Sequence, residues 1–359
     1  MNPAARDKAA SLRARFEAAG AAVIDPAILQ PAETLLDLYG EDIRGRAYVT
    51  ADPGRGEMML RPDFTVPVVQ AHMQGGAEPA RYTYSGEVFR RQEADPDRNP
   101  EYLQVGFEIF DRIDPAAADA EVFAIFADAL AGLPLRAVTG DIGVLMAAVG
   151  GLDASAARRA ALLRHLWRPR RFRALLDRFS GKTRVPPARA KLLKARDPLD
   201  GAAPLVGKRS HDEIAARIET LRADAAQPPL SRDQVALVDA ILAVRETAPF
   251  ALARLRDIAV DMPALTPALD RLEARLDALA ARGIDVEALD FEGSYGRTSM
   301  EYYDGFVFGF VSDARPDLPP AATGGRYDAL TERLGDGQAI PAVGGVIRPD
   351  LILALEGGA

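Results

Sequence analysis

Arg81-Tyr82-Thr83-Tyr84-Ser85-Gly86-Glu87-Val88-Phe89-Arg90, answered by Glu101-Tyr102-Leu103-Gln104-Val105-Gly106-Phe107-Glu108-Ile109-Phe110, is the stretch that decides the fold. Tyr82, Tyr84, Val88 and Phe89 mark the first segment as a strand, and Val105, Phe107, Ile109 and Phe110 mark the second. Asp95-Pro96-Asp97-Arg98-Asn99-Pro100 between them are turn formers, so the pair reads as a long antiparallel hairpin. Gln104, Gly106 and Glu108 stand two apart. A strand points alternate side chains to one face, so an amide, a bare backbone and a carboxylate share one surface. Such a face suits a small ligand with a charge and hydrogen-bonding groups; the alternative is the solvent side of a half-buried sheet.

The rest of the composition sets bounds. The 359 residues are 48% apolar and 27% charged, the proportions of a water-soluble globular chain with a sizeable core. A net charge of −8 argues against nucleic acid as the main partner, because phosphate binding needs a basic face. The absence of cysteine excludes disulfides and thiolate chemistry and is compatible with a cytoplasmic location. No apolar run approaches the ~20 residues of a membrane span. His72, His165 and His211 are too dispersed for a metal site or a catalytic triad, and no cofactor is called for.

In chain order, a helix is expected to Ala19 with Leu12 and Phe16 on one face, an extended piece at Val23-Ile24, and a helix from Ala27 to Tyr39 before Gly40. Leu35, Leu36 and Leu38 on that helix suit a subunit contact or plain core packing. Strands at 46–51 and 57–61 flank the turn Asp52-Pro53-Gly54. Thr65 reads as the N-cap of a helix from Val66 to Met73, with Pro67 just inside it. That places Asp63 and Thr65 at a strand end beside a helix N-terminus, facing a ligand or only serving the helix. A helix at 116–130, a strand at 135–140 and a helix from Val144 follow. Residues 151–282, rich in Ala, Leu and Arg, read as a helical insertion between two parts of one domain, 1–150 and 283–359. Arg164, Arg168, Arg170, Arg171 and Arg173 around Trp167 and Phe172 suit a solvated face better than an RNA contact. Ser180-Gly181-Lys182-Thr183 is not a phosphate loop, because Leu176 stands where the first glycine is needed. Strands return at 286–295 and 305–311, then in the glycine-bearing Thr323–Asp328 and Ile340–Ile347, before a last helix at 351–355.

Together, Leu60–Thr65, Phe89-Arg90 with its loop, Gln104–Glu108, Met300–Tyr303, Gly324–Asp328 and Pro341–Gly344 stand in the order of the class II histidyl-tRNA synthetases, which the chain resembles over about 300 residues. The resemblance implies an α+β fold: a six- or seven-stranded antiparallel sheet flanked by helices, with a helical insertion and self-dimerisation through the early helix and strand. It implies a histidine pocket from Asp63, Thr65, Arg90, Gln104, Glu108, Tyr302, Tyr303 and Tyr327, floored by Gly324 and Gly325. Histidine would offer its ammonium to Asp63 and Glu108, its carboxylate to Arg90, and its imidazole to tyrosine or carboxylate partners. Asp63 replaces the usual glutamate and Phe64 the usual glycine, changes that bear on pocket size.

Three departures bear on activity. The arginine expected before the paired tyrosines is Thr298 here, with Arg297 one place earlier; in a strand that shift turns the side chain to the other face. The adenine-stacking arginine of the last motif falls on Leu351, three residues past Arg348. The anticodon-binding domain does not follow before Ala359. Removing one fixed donor from such a site costs ~3 kcal/mol or more of transition-state stabilisation. This pattern resembles the ATP phosphoribosyltransferase regulatory subunits of histidine biosynthesis, a synthetase paralogue family. That resemblance implies a non-catalytic partner of a short-form catalytic phosphoribosyltransferase subunit, with histidine as feedback effector and tRNA an improbable ligand. The other readings are a truncated synthetase-like enzyme that adenylates histidine or another amino acid, and a scaffold with a vestigial pocket.

Overall fold

The computed structural model describes residues 2–39, 41–91, 99–200, 203–204, 206–297 and 302–357. Its strands are β1 (Ala22–Val23), β2 (Leu29–Pro31), β3 (Val49–Asp52), β4 (Gly56–Leu60), β5 (Ala80–Phe89), β6 (Glu101–Phe110), β7 (Arg136–Asp141), β8 (Arg245–Thr247), β9 (Asp290–Glu292), β10 (Phe306–Val311), β11 (Ala322–Arg326) and β12 (Ala342–Ile347). Its helices are α1 (Pro3–Ala18), α2 (Ala32–Tyr39), α3 (Thr65–Met73), α4 (Pro115–Ala129), α5 (Ile142–Gly150), α6 (Ala156–Arg164), α7 (Pro169–Phe179), α8 (Pro187–Lys194), α9 (His211–Ala225), α10 (Arg232–Leu242), α11 (Ala248–Asp261), α12 (Thr266–Ala281), α13 (Asp328–Leu334) and α14 (Pro349–Glu356).

The hairpin forms as its alternation predicts: β5 and β6 pair antiparallel from Ala80 opposite Phe110 to Phe89 opposite Glu101. Of its connecting loop, Asp95 to Arg98 lie outside the described residues. The sheet is larger than expected and mixed, with nine strands in the order β1-β5-β6-β12-β11-β10-β7-β9-β8. The six strands from β5 to β7 are antiparallel throughout, as expected, while β1 joins β5 and β9 joins β7 in parallel. A small antiparallel sheet, β2-β4-β3, stands apart.

β6 is buried on both faces, because the sheet carries a hydrophobic layer on each. On one face, Val105, Phe107, Phe306 and Phe308 pack with Phe16 of α1 and Phe123 and Phe126 of α4. On the other, Tyr84, Val307 and Ala342 pack with Leu35 of α2, Val68 and Val69 of α3 and Leu330 of α13. Leu35, with half-buried Leu36 and Leu38, therefore belongs to the core.

Four local expectations change. Leu29–Pro31 pairs with β4, so the helix expected from Ala27 starts only at Ala32. Thr65 does not cap α3; Phe64 stands at the N-cap position, and Asp63 Oδ1 accepts from the Val66 N–H at 3.3 Å. The strand expected over 286–295 shrinks to β9, with residues 293–297 in turns. The stretch 151–282 is mostly helical, but β8 extends the main sheet through β9. Its helices α11 and α12 share the core of α1, α4 and α5 through Leu255, Leu269, Leu272 and Leu279. Arg275 of α12 donates to Asp119 Oδ2 at 2.9 Å and to Asp141 Oδ2 at 2.7 Å, and Arg326 Nη2 donates to Asp119 Oδ1 at 2.7 Å. In the arginine-rich segment, Phe172 is buried and Arg173 pairs with Asp239 of α10. Among the described residues no helix is long and apolar enough to cross a membrane.

Candidate functional site

A cavity of about 730 Å³ opens on the face of the sheet that carries Gln104 and Glu108. Its wall includes residues of β6, β12, β11, β10 and β9, and from β6 to β9 there are five strand spacings, about 24 Å at the usual separation. Seven of the expected residues line it: Asp63, Thr65, Arg90, Gln104, Tyr302, Tyr303 and Gly324. Asp63 and Gln104 are 3% and 1% exposed, which excludes the reading of Gln104 as a solvent-facing strand residue. Gln104 lines the cavity, and its Oε1 is buried with no hydrogen-bond partner among the described residues. Arg90 Nε donates to the Pro62 carbonyl at 2.6 Å, which fixes that side chain beside Asp63.

Glu108, Tyr327 and Gly325 do not line the cavity. Glu108 is fully buried behind the wall, and three hydroxyls donate to it: Tyr84 at 2.7 Å and Thr65 at 3.0 Å to Oε1, and Tyr327 at 2.6 Å to Oε2. Burial pushes the Glu108 carboxyl up to about 7, although these three donors stabilise the ionised form. Burial, together with Glu108, drives the Tyr84 and Tyr327 phenols far above their ordinary range. The arrangement rests on two glycines. The Tyr84 ring lies across Gly106, where a Cβ would sit 2.1 Å from the ring, and the Glu108 carboxylate lies across Gly344, where a Cβ would sit 1.5 Å from Oε2. The expected ammonium partner is thus a carboxyl already saturated by its neighbours, because strands β5 and β12 turn Tyr84 and Gly344 to the same side as Glu108.

The tyrosines and glycines sort by face. Tyr303, 5% exposed, packs on Gly325, and its phenol is pushed up by burial. The Tyr302 ring stands 4.9 Å from it at 67°. Gly324 offers the cavity only backbone, because on the opposite face the Phe308 ring fills the space a Cβ would need. Phe64 does not narrow the cavity: it is fully buried, stacked on Tyr84 at 4.3 Å and covered by the Arg61 guanidinium at 3.9 Å.

Sequence reasoning missed the far wall, formed by Glu292, Ser294, Tyr295 and Arg297 with Pro169, and it undervalued two cations. Arg297 sits in a turn, so the alternation that was expected to point it away does not apply, and it lines the cavity. Arg348 lines it as well, its guanidinium 5.7 Å over the Tyr102 ring. Thr298, with Met300 and Glu301 of the same motif, lies outside the described residues. With Arg46 and Arg90, four arginines border the cavity against the carboxylates of Asp63 and Glu292. Gly309 was the available signal for the far wall: a Cβ there would sit 1.9 Å from the Tyr295 hydroxyl, so this interior-strand glycine marks a side chain lying across the sheet.

Comparison with known proteins agrees with this architecture. The family model for histidyl-tRNA synthetase matches residues 3–352. The ATP phosphoribosyltransferase regulatory subunits of Brucella ovis and Brucella abortus are each 33% identical over 371 aligned residues, covering 97% of this chain and 96% of theirs. A Bacillus halodurans crystal structure described as an ATP phosphoribosyltransferase regulatory subunit/histidyl-tRNA synthetase superposes with a TM-score of 0.69 at 21% identity, over 98% of this chain and 79% of that one. A histidyl-tRNA synthetase from a Nostoc species superposes at 0.64 and 15% identity, over 99% and 72%, and shares the fold. On the extent of both matches, the chain belongs to the histidyl-tRNA synthetase family and, within it, to the ATP phosphoribosyltransferase regulatory subunits.

Proposed function

We propose that the chain is a non-catalytic regulatory subunit that binds histidine in this cavity and conveys feedback inhibition to a short-form catalytic ATP phosphoribosyltransferase subunit. The observation that carries the reading is the wall formed by Asp63, Gln104 and Arg90: a buried carboxylate, a buried amide, and a fixed guanidinium. An α-amino acid with a donor-bearing side chain complements all three, with its ammonium on Asp63 and its carboxylate toward Arg90. Glu108 acts at one remove, by holding Thr65 and, through Tyr84 and Tyr327, the layer behind the wall. Histidine regulates the partner only if it binds the inhibited complex more tightly than the active one. Isothermal titration of histidine into the chain alone, and into its complex with the catalytic subunit, tests this. Binding that Asp63→Asn abolishes supports it; no binding in either case refutes it.

A second reading has its own support, since Arg297 and Arg348 border the cavity where adenylation would need positive charge. On that reading the chain makes an aminoacyl adenylate. Pyrophosphate exchange with ATP and histidine separates the two: exchange establishes the enzyme, and its absence leaves the regulatory role.

A further inference from the structure

Asp304 follows the paired tyrosines of the cavity wall but does not itself line the cavity. Both oxygens of its carboxyl are engaged. Oδ1 accepts from the Asp328 N–H at 3.1 Å, and Oδ2 accepts from the Ala329 N–H. Those two amides open α13, and Tyr327 just before it donates to Glu108 behind the wall. The Tyr302 ring lies 6.0 Å from the Tyr327 ring at 82°, and Tyr303 packs on Gly325 of β11. One carboxyl therefore ties the segment that carries Tyr302 and Tyr303 to the start of α13.

The surroundings of that carboxyl are short of positive charge. Asp328 and Arg326 are the charged groups that act on it directly, and α5 meets it with Gly143. Arg326 donates to Asp119, to Asp328 at 3.0 Å and to the Pro115 carbonyl, and Arg275 donates to Asp119 and Asp141. Four carboxyls, Asp119 of α4, Asp141 of β7, Asp304 and Asp328, thus share two guanidiniums, Arg326 of β11 and Arg275 of α12. Burial, and then the charge of Asp328, raise the Asp304 carboxyl to about 7, against the two backbone donors, which favour its ionised form. A proton on it removes one of the two acceptors, because the protonated oxygen presents a donor to an N–H that is itself a donor.

We propose that Asp304 is a positioning residue of the cavity: its ionised carboxyl clamps the start of α13 to the paired tyrosines and so holds the wall in its binding shape, and taking up a proton loosens the clamp. The effect on ligand affinity rests on the histidine-binding reading above; the clamp does not. A ligand that prefers the clamped wall binds more tightly as the pH rises through the titration of Asp304, and by linkage its binding drives that proton off.

Titration of histidine into the whole wild-type chain and into Asp304→Asn, at pH 5.5 and pH 8, is the test. Asparagine keeps one acceptor and turns an NH2 toward the other N–H, so it imitates the protonated carboxyl. Glu108 and histidine itself titrate in both experiments and drop out of the ratio of the two dissociation constants. That ratio, variant over wild type, is expected near one at pH 5.5 and ~5- to 10-fold at pH 8. Asp328→Asn is the second variant. Its amide oxygen can keep the bonds from the Ala342 N–H and Arg326, while the like charge beside Asp304 is gone. Asp304 then ionises at lower pH, so this variant binds histidine ~2- to 3-fold more tightly than the wild type at pH 6.5 and equally at pH 8. Hydrogen exchange of residues 327–331 in the ligand-free chains reads the clamp directly: faster in Asp304→Asn than in the wild type at pH 8, and equal at pH 5.5. A ratio that is the same at both pH values, or an Asp328→Asn chain that matches the wild type at pH 6.5, overturns the positioning by proton uptake. Equal exchange at pH 8 in a folded Asp304→Asn chain overturns the clamp. Should Asp304→Asn fail to fold, Asp328→Asn decides both, its exchange of 327–331 at pH 6.5 being slower than the wild type's if the clamp exists and unchanged if it does not. A wild-type chain that binds no histidine refutes the function proposed above, and the exchange comparison then decides the clamp on its own.

Discussion

Replacing Glu108 by glutamine should make the protein more stable at alkaline pH while leaving it nearly unchanged in acid. The reasoning starts from a carboxyl whose ordinary value of 4.5 is raised by burial to about 7 in the folded chain. A group raised on folding binds its proton more tightly in the native state. Its contribution is complete below 4.5, declines as the pH rises, and is gone once the pH has passed through 7. A rise of that size corresponds to roughly 3 kcal/mol. Glutamine has no proton to lose. Its amide oxygen can keep the donated bonds from Tyr84 and Thr65, and its NH2 can donate to the Tyr327 hydroxyl, which accepts as well as donates. Urea denaturation of both proteins at pH 4.5, 6, 7 and 8 gives the difference directly. Asp304, which burial also raises to about 7, is common to both proteins and cancels. The stability of Glu108→Gln relative to the wild type should rise by about 3 kcal/mol from pH 4.5 to pH 8. A difference that stays flat to within ~0.5 kcal/mol, or that falls with pH, would refute the account of Glu108 as a carboxyl held behind the wall.

Three further outcomes rest on other parts of the structure. Gly344→Ala and Gly106→Ala should each cost about 3 kcal/mol in chemical denaturation, because their Cβ atoms would overlap Glu108 Oε2 and the Tyr84 ring; Gly150→Ala, with open space around it, is the control and should be close to neutral. Arg275→Met should cost about 3–5 kcal/mol, since it strips Asp141 of a buried partner and leaves Asp119 to Arg326 alone; a loss below ~1 kcal/mol would show that α12 is not locked to the sheet by this cluster. In histidine titrations Asp63→Asn should weaken binding far more than Glu108→Gln, because Asp63 lines the cavity and Glu108 does not; the reverse order would return Glu108 to the ligand's first contacts.

Much of the site was legible because it depends on local spacing. Period-two alternation placed Gln104, Gly106 and Glu108 on one face of β6, and turn formers on either side of two β-rich segments specified the hairpin. The strand-to-helix junction put Asp63 and Thr65 together, and the order of short motifs sufficed for the family. Errors arose where a residue's neighbours come from distant parts of the chain. Thr65 looked like a helix cap, but Glu108, 43 positions away, takes its hydroxyl while Asp63 serves the helix. Strand periodicity points Arg297 to the opposite face, but the chain abandons that periodicity after β9, where residues 293–297 are in turns.

What the amino-acid sequence by itself determined is the hairpin, the antiparallel centre of the sheet, the helical texture of 151–282 and the set of polar residues gathered near one surface. The hairpin and the helical texture follow from side-chain period and turn chemistry, which act over a few residues; the antiparallel centre and the full polar set follow from the family resemblance that the ordered short motifs carry. Only the tertiary structure decided which of those residues face the cavity. Strand order brings β12 beside β6 and so lays Glu108 over Gly344, where Tyr84, Thr65 and Tyr327 enclose it. The same long-range packing sets Leu166 and Phe172 against Arg297, so that one turn residue closes the far wall. Strand order and helix docking bring Tyr327 to Glu108 from 219 positions away, a scale on which local alternation carries no information.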